Sequence, residues 1–261
     1  MKIVRKTETW MGVALLALLL ATPPVNAYKS GLKSPSQTPR KADPNAYSLL
    51  KVAHDNREVM GAELVVEAGI VLNDNGKLYE GQLLYPVGKG CALEFAEITD
   101  TLLQWTKGQV NSVLGHRRGG EFAKGDGSYP VTFGAKDSSP LGLLVNLNDR
   151  LHSSYRVRNG QVTEVTRTMG DERFTITVLE TRTIEGGKYL PKHFAVTYFN
   201  AKTGEILRSQ QFSDTYQKVD GVWIPAQRRI VTAEKGTFQT RILELNHIRV
   251  HRKEALTKQE E

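Results

Sequence analysis

The spacing of apolar positions along the chain changes from helical to alternating soon after residue 60. After Asp43-Pro44 the apolar residues fall at Ala46, Leu49, Leu50 and Ala53, the three-and-four spacing of a single helix face. Asp43 can accept from the unpaired amides of a helix start, and Pro44 suits the first helical position. A helix is predicted from there to about Met60, stopping at Gly61. From Leu64 the period becomes two. Strands are predicted over 64–73 and 77–85, around Asn75-Gly76, a turn pair whose central residues both take positive φ. A third strand is expected over 91–98, with Cys91, Leu93 and Phe95 on one face. Thr99 or Asp100 then caps a second helix whose apolar content is Leu102, Leu103, Val110, Val113 and Leu114, with Trp105 at its border. That helix ends in Gly115-His116-Arg117-Arg118-Gly119-Gly120, where cations suit the C-terminal dipole.

Residues 119–139 read as a long loop with a local strand at 131–133, and the apolar run 141–147 fits strand or short helix equally. From Ser153 onward the chain is a run of hairpins. Turn signals fall at Asn159-Gly160, Met169-Gly170-Asp171, Gly186-Gly187, Thr203-Gly204, Asp220-Gly221 and Lys235-Gly236. The long segments between them predict a strongly twisted antiparallel sheet. Gly187-Lys188-Tyr189-Leu190-Pro191 recurs 34 residues later as Gly221-Val222-Trp223-Ile224-Pro225. Proline has no ladder donor, so Pro191 and Pro225 belong at an edge, a bulge or a strand start. Leu243 and Leu245 share one parity and Ile248 and Val250 the other, which predicts a bulge near Asn246 or His247. The fold class is therefore α+β: a long-stranded, curved, half-barrel-like antiparallel sheet with about two helices packed on it.

The chain ends read differently from this body. Lys2, Arg5 and Lys6 precede an apolar run from Met11 to Ala21, broken by Thr22-Pro23-Pro24, with small residues suited to cleavage after Ala27. That run of 11 residues is short of the roughly 20 that span a bilayer. Residues 1–27 are thus predicted to be a signal peptide, 28–42 a disordered basic linker, 43–251 a single β-rich domain and 252–261 a disordered tail. No transmembrane span is expected after processing, and the mature protein is expected to be exported, either periplasmic or secreted. The 261 residues carry a formal net charge of +7. Of this, +2 lies in 1–27, +4 in 28–42 and none in 252–261, leaving +1 in 43–251. Nucleic-acid binding by the domain is set aside, since it needs a clustered basic face. The linker could still meet an anionic surface.

Candidate chemistry is sparse. The single cysteine excludes an intramolecular disulfide, and Cys91 reads as a buried, inert thiol. His247 and His251 have ligand-like spacing, but Arg249 sits between them, and a solvated strand end is the plainer reading. There is no G-x-S-x-G elbow or Walker A motif, so no catalytic residue, cofactor or metal site is assigned. Arg228 and Arg229 are candidates for contact with an anion; the plainer alternative is one arginine on each face of a strand, the outer one solvated. Phe174, Ile176, Val178, Phe194, Val196, Tyr198 and Trp223 are candidates for a concave, ligand-binding face.

Tyr155-Arg156-Val157-Arg158-Asn159-Gly160, Lys202-Thr203-Gly204-Glu205 and Phe212-Ser213-Asp214-Thr215-Tyr216-Gln217-Lys218-Val219, followed by Arg228-Arg229-Ile230, carry a resemblance over 43–250. They resemble an uncharacterised domain family of cyanobacteria, plants and some other bacteria, which brings no catalytic residues to carry over. More loosely, the leading helix, long meander and aromatic–Leu/Ile–Pro turn look like the lipoprotein-carrier half-barrels. That likeness implies a curved sheet holding acyl chains. The leading expectation is an exported binding protein for an apolar ligand, a lipid or acylated protein. An envelope interaction or scaffold protein without a small ligand is the alternative, and a hydrolase of unknown specificity the second.

Overall fold

The computed structural model describes residues 42–253. The predicted signal peptide, nearly all of the basic linker and most of the tail lie outside the described residues. Two helices and twelve strands follow in order. Helix α1 (Pro44–Asp55) leads into strands β1 (Leu64–Asp74), β2 (Lys77–Pro86) and β3 (Ala92–Phe95), and helix α2 (Asp100–Gly115) comes next. Strands β4 (Val131–Phe133), β5 (Leu143–Leu147), β6 (Ser154–Arg158), β7 (Gln161–Met169) and β8 (Glu172–Thr183) then begin the meander. It continues through β9 (Tyr189–Asn200), β10 (Ile206–Val219), β11 (Val222–Glu234) and β12 (Thr237–Arg252). All twelve form one antiparallel sheet, ordered β3-β2-β1-β12-β11-β10-β9-β8-β7-β6-β5-β4. The two edges, β3 and β4, do not meet, so the sheet is a half-barrel.

The topology follows from one jump and a long return. After β3 the chain crosses by α2 to the far edge at β4, then walks back hairpin by hairpin until β12 pairs with β1. At about 3.3 Å per residue, the 16-residue β12 runs roughly 50 Å. Flat strands of that length would not wrap two helices; bulges bend them. Pro191 lies opposite Thr181 at a double register shift between β8 and β9, and Pro225 lies opposite Tyr216 beside a shift between β10 and β11. The phase slip in β12 is a bulge at His247 (φ 49°), where Glu67 pairs with Arg249 but Gly69 with Asn246.

Each helix seals its own stretch of sheet. The Asp43 carboxylate accepts from the Asn45 and Ala46 amides at 2.8 and 3.3 Å, starting α1. The helix buries Ala46, Leu50 and Ala53 against Val131, Val145, Val157 and Phe174. The Thr99 hydroxyl accepts from the Leu102 amide at 3.4 Å, and α2 buries Leu102, Val110, Val113 and Leu114 with Val66, Ile70, Tyr85 and Ile224. Trp105 touches both groups. Cys91, just before β3, is partly buried against the second group, and burial pushes its thiol up from the ordinary value. Among the described residues, no helix is long and apolar enough to cross a membrane.

Two expectations need correction, and one open reading is decided. The first helix ends at Asp55, five residues before Met60, because Arg57 and Met60 are taken up in β-bridges to Tyr189 and Arg118. The third strand is only Ala92–Phe95, matched to the four β2 residues it pairs with. The apolar run 141–147 resolves as strand, since Leu143 to Asn146 pair with β6 and the segment also pairs with β4. In addition, β12 continues through Arg252, and the Lys253 amide donates to the Glu63 carbonyl at 2.9 Å.

Candidate functional site

The two helices stop short of one another, and the segments that follow them close the gap. At the end of α1 the Asn56 side chain donates to the Gly160 carbonyl at 3.0 Å, and the Asn56 carbonyl accepts from the Tyr189 amide at 2.9 Å. The Tyr189 phenol donates to the Ala53 carbonyl at 3.1 Å and accepts from the Val162 amide at 3.2 Å. One buried hydroxyl thereby ties the helix end to β7. Beyond it, the Met60 amide donates to the Arg117 carbonyl at 2.5 Å, and the Gly119 amide to the Met60 carbonyl at 3.2 Å. Residues 56–60 and 116–119 thus form a two-stranded strap over the sheet.

Under the strap lies a cavity of about 160 Å³. Its floor is Val165 of β7, Ile176 and Val178 of β8 and Phe194 and Val196 of β9; Leu50, Val113 and Phe122 roof it. His54, Arg57, Glu58, His116 and Arg117 reach it from the helix ends and the strap. A second hollow, of about 550 Å³, crosses β1, β2, β3 and β12 at the His247 bulge. Glu67, Gln82, Glu94 and Arg249 give it a polar lining, whereas the strap cavity is walled mainly by apolar side chains.

Polar groups on the wall form two networks. Asp214 accepts from Arg228 Nε and Nη2 at 2.8 and 2.6 Å, and Arg228 Nη1 donates to the Ser112 hydroxyl at 3.1 Å. The Arg228 guanidinium also lies 5.7 and 5.2 Å from the rings of Phe194 and Phe212, which stack on each other at 4.7 Å. In the second network the Tyr155 hydroxyl donates to Asp126 at 2.7 Å and accepts from Arg167 Nη2 at 2.5 Å. Burial pushes the Tyr155 and Tyr216 phenols well above their ordinary values, so both stay protonated donors at neutral pH. The Tyr216 hydroxyl spends its proton on the Pro191 carbonyl at 2.7 Å.

Two cations stand outside these networks. Arg117 is 4 % exposed, and none of its three guanidinium nitrogens has a hydrogen-bond partner among the described residues. The Tyr216 ring lies 5.5 Å from it. Arg57 donates from Nε to the His54 carbonyl at 3.1 Å, while its buried Nη2 has no partner among the described residues. Burial pulls both guanidinium groups below their ordinary value, yet arginine starts so high that it keeps its charge. Burial also depresses His54, with the nearby Arg57 charge second. The site can therefore hold an apolar body against β7–β9 while presenting unshared N–H donors beside it.

Of the residues expected on a concave face, Ile176, Val178, Phe194 and Val196 line this cavity. Phe174 and Tyr198 pack together at 6.0 Å in the adjoining core, with Arg208 over the Tyr198 ring at 3.9 Å. Trp223 lies elsewhere: it stands at the start of β11, donates to Glu185 at 3.2 Å and is covered by Arg182 at 4.3 Å. Lys218, then the residue's own amide and Trp223, hold the exposed Glu185 carboxyl down to about 2. Arg228 does reach the cavity, but the anion it contacts is Asp214 of the same chain. Arg229 is exposed on the opposite face, as strand alternation requires. Sequence reasoning missed Arg57 and treated Arg117 only as a helix-end cation. The available signal was spacing: each lies four residues beyond a buried stripe residue, Ala53 or Val113, although both stand past the ends of their helices.

Several solved structures are similar to this chain at low identity. A putative outer membrane lipoprotein-sorting protein domain from Vibrio parahaemolyticus is 9% identical, with 79% of this chain and 92% of that one covered and a TM-score of 0.37. A LolA superfamily protein from Nitrosomonas europaea is 14% identical over 78% and 92%, at 0.35. A DUF1329 family protein from Desulfovibrio piger is 13% identical over 80% and 93%, at 0.28. No curated protein matches the chain. Residues 41–250 match the model of the family described as Protein of unknown function (DUF3386), and the chain belongs to that family.

Proposed function

We propose that this protein is an exported binding or carrier protein for an apolar or amphiphilic ligand, such as a lipid or the acyl end of a modified protein, held beneath the strap. The observation that carries the reading is the cavity: about 160 Å³ of space between helices and sheet that neither fills. Protein interiors pack like organic crystals and leave few voids larger than a water. A space left between helices and sheet, with valine, isoleucine and phenylalanine walls, suits an apolar occupant.

Size limits the occupant. A cavity of about 150 Å³ takes a benzene-sized body, so the closed form accepts a short chain or ring. A long acyl chain needs the strap to lift, which breaks the Met60–Arg117 and Gly119–Met60 hydrogen bonds but leaves the sheet intact. The layout of residues 1–27 supports export, and the +4 charge of 28–42 supports retention near anionic surfaces.

Native mass spectrometry of the mature protein, before and after organic extraction, tests the reading together with titration by a fluorescent fatty-acid probe. The expected result is one extractable adduct and a probe signal saturating at one per chain. A bare mass combined with a flat titration overturns it.

A further inference from the structure

The polar side of the cavity says more about the ligand than its volume does. Three arginines, Arg117, Arg167 and Arg228, are buried in this part of the molecule and Arg57 is half-buried; two of the four are held by the chain's own groups. Arg228 has Asp214 and Ser112, and Arg167 has the Tyr155 hydroxyl with Asp126 at 3.7 Å. Arg117 is as buried as Arg228 and lines the same cavity, yet its three nitrogens meet no acceptor among the described residues. Arg57 brings one more unmatched donor into that cavity. Neither group can escape by shedding its proton. Glu58 also lines the cavity and its charge favours that of Arg117, but it does not approach within ion-pair distance. Backbone contacts fix both arginines in place: the Arg117 carbonyl accepts from the Met60 amide within the strap, and Arg57 bridges Tyr189 of β9.

We propose that Arg57 and Arg117 form an oxyanion receptor for the head group of the ligand, whose apolar part lies against Val165, Ile176, Val178 and Val196. The ligand class is a single-chain acidic amphiphile, carrying either a carboxylate or a phosphate monoester. The planar guanidinium fork suits both, since each offers two oxygens to parallel N–H donors. The inference rests on the carrier reading and refines it from any apolar ligand to one with a negative end.

Calorimetric titration of the mature protein with octanoate, octyl phosphate, octanol and octyltrimethylammonium separates the two claims. The expected order places at least one of the two anions tenfold or more tighter than octanol, with the ammonium weakest. Whichever anion binds more tightly identifies the head group. Arg117→Gln is expected to erase the preference while leaving octanol affinity within about twofold. Arg117→Lys, which keeps the charge but loses the fork, should retain part of it and serves if the glutamine variant does not fold. Octanol binding as tightly as both anions, or a preference that survives Arg117→Gln, overturns the receptor and leaves the carrier reading standing. If none of the four binds, both fall.

Discussion

Arg228 projects from the middle of β11 and Arg117 from the strap after α2, and both are 4 % exposed on the wall of one cavity. Around Arg228 the fold supplies a bidentate carboxylate, a hydroxyl and two aromatic faces. Around Arg117 it supplies an aromatic face and, among the described residues, no acceptor. Removing a charge from water costs several kcal/mol unless it is paired and hydrogen-bonded. The first arrangement is thus a completed structural bond. The second is a cost that the fold carries without a return among the described residues. Burial alone does not tell the two apart; the hydrogen-bond accounting around each group does.

The largest expected effect comes from breaking the completed pair. Asp214→Asn leaves the Arg228 charge buried without its counter-charge, and the loss should be about 3–5 kcal/mol, read from the urea midpoint. A loss below about 1 kcal/mol would place Arg228 in the same class as Arg117. Arg117→Met should act with the opposite sign, raising stability by about 1–3 kcal/mol in the ligand-free protein, because it removes an uncompensated buried charge and keeps the volume. A lower midpoint for this variant would mean that Arg117 is structural. Filling the space beside both arginines comes next: Val178→Phe should weaken binding of a fatty-acid probe more than tenfold, while stability stays level or rises by about 0.5–2 kcal/mol. Unchanged probe affinity would move the binding surface away from β8.

The smallest effect concerns His54, whose imidazole is lowered from 6.5 by burial first and by Arg57 second. A depressed folded value means that the unfolded chain takes up the proton more readily. Its share of stability is therefore complete above about pH 6.5 and is lost as pH falls through the folded value. An NMR titration should find His54 below 6.5, and Arg57→Gln should move it back toward that value without restoring it fully. No movement would show that the Arg57 charge is already neutralised by a partner.

What the sequence made legible was local. The hairpins could be read because alternation and turn chemistry agree at each step: Asn75 and Gly76 take φ of 50° and 97°, as an Asn-Gly turn predicts. The bulge at His247 was visible as a parity slip for the same reason. The site was less legible because it is assembled from segments with no common period. Arg57 was hidden inside an expected helix that ends early, and the cause of that ending, Tyr189, lies 132 residues further along. Arg117 looked like an ordinary helix-end cation because its face is set by residues of β10, not by α2. The floor residues Ile176, Val178, Phe194 and Val196 could be named from alternation, but their parity also selected Phe174 and Tyr198, which pack in the adjoining core. Trp223 belonged to a turn pattern shared with Tyr189, yet only Tyr189 lies under a helix end.

The seam between β1 and β12 sets an order of events for the growing chain. Every strand from β4 to β11 can find its neighbour as it is made, but β1 must wait for the final sixteen residues of the sheet. Until then two part-sheets coexist, each ending in a long strand with one unpaired edge, β1 on one and β11 on the other. Such edges are the surfaces by which unfinished chains stick to each other. The seam is thus sewn last, and a chain cut before Thr237 would join its two groups of strands only through α2 and the strap.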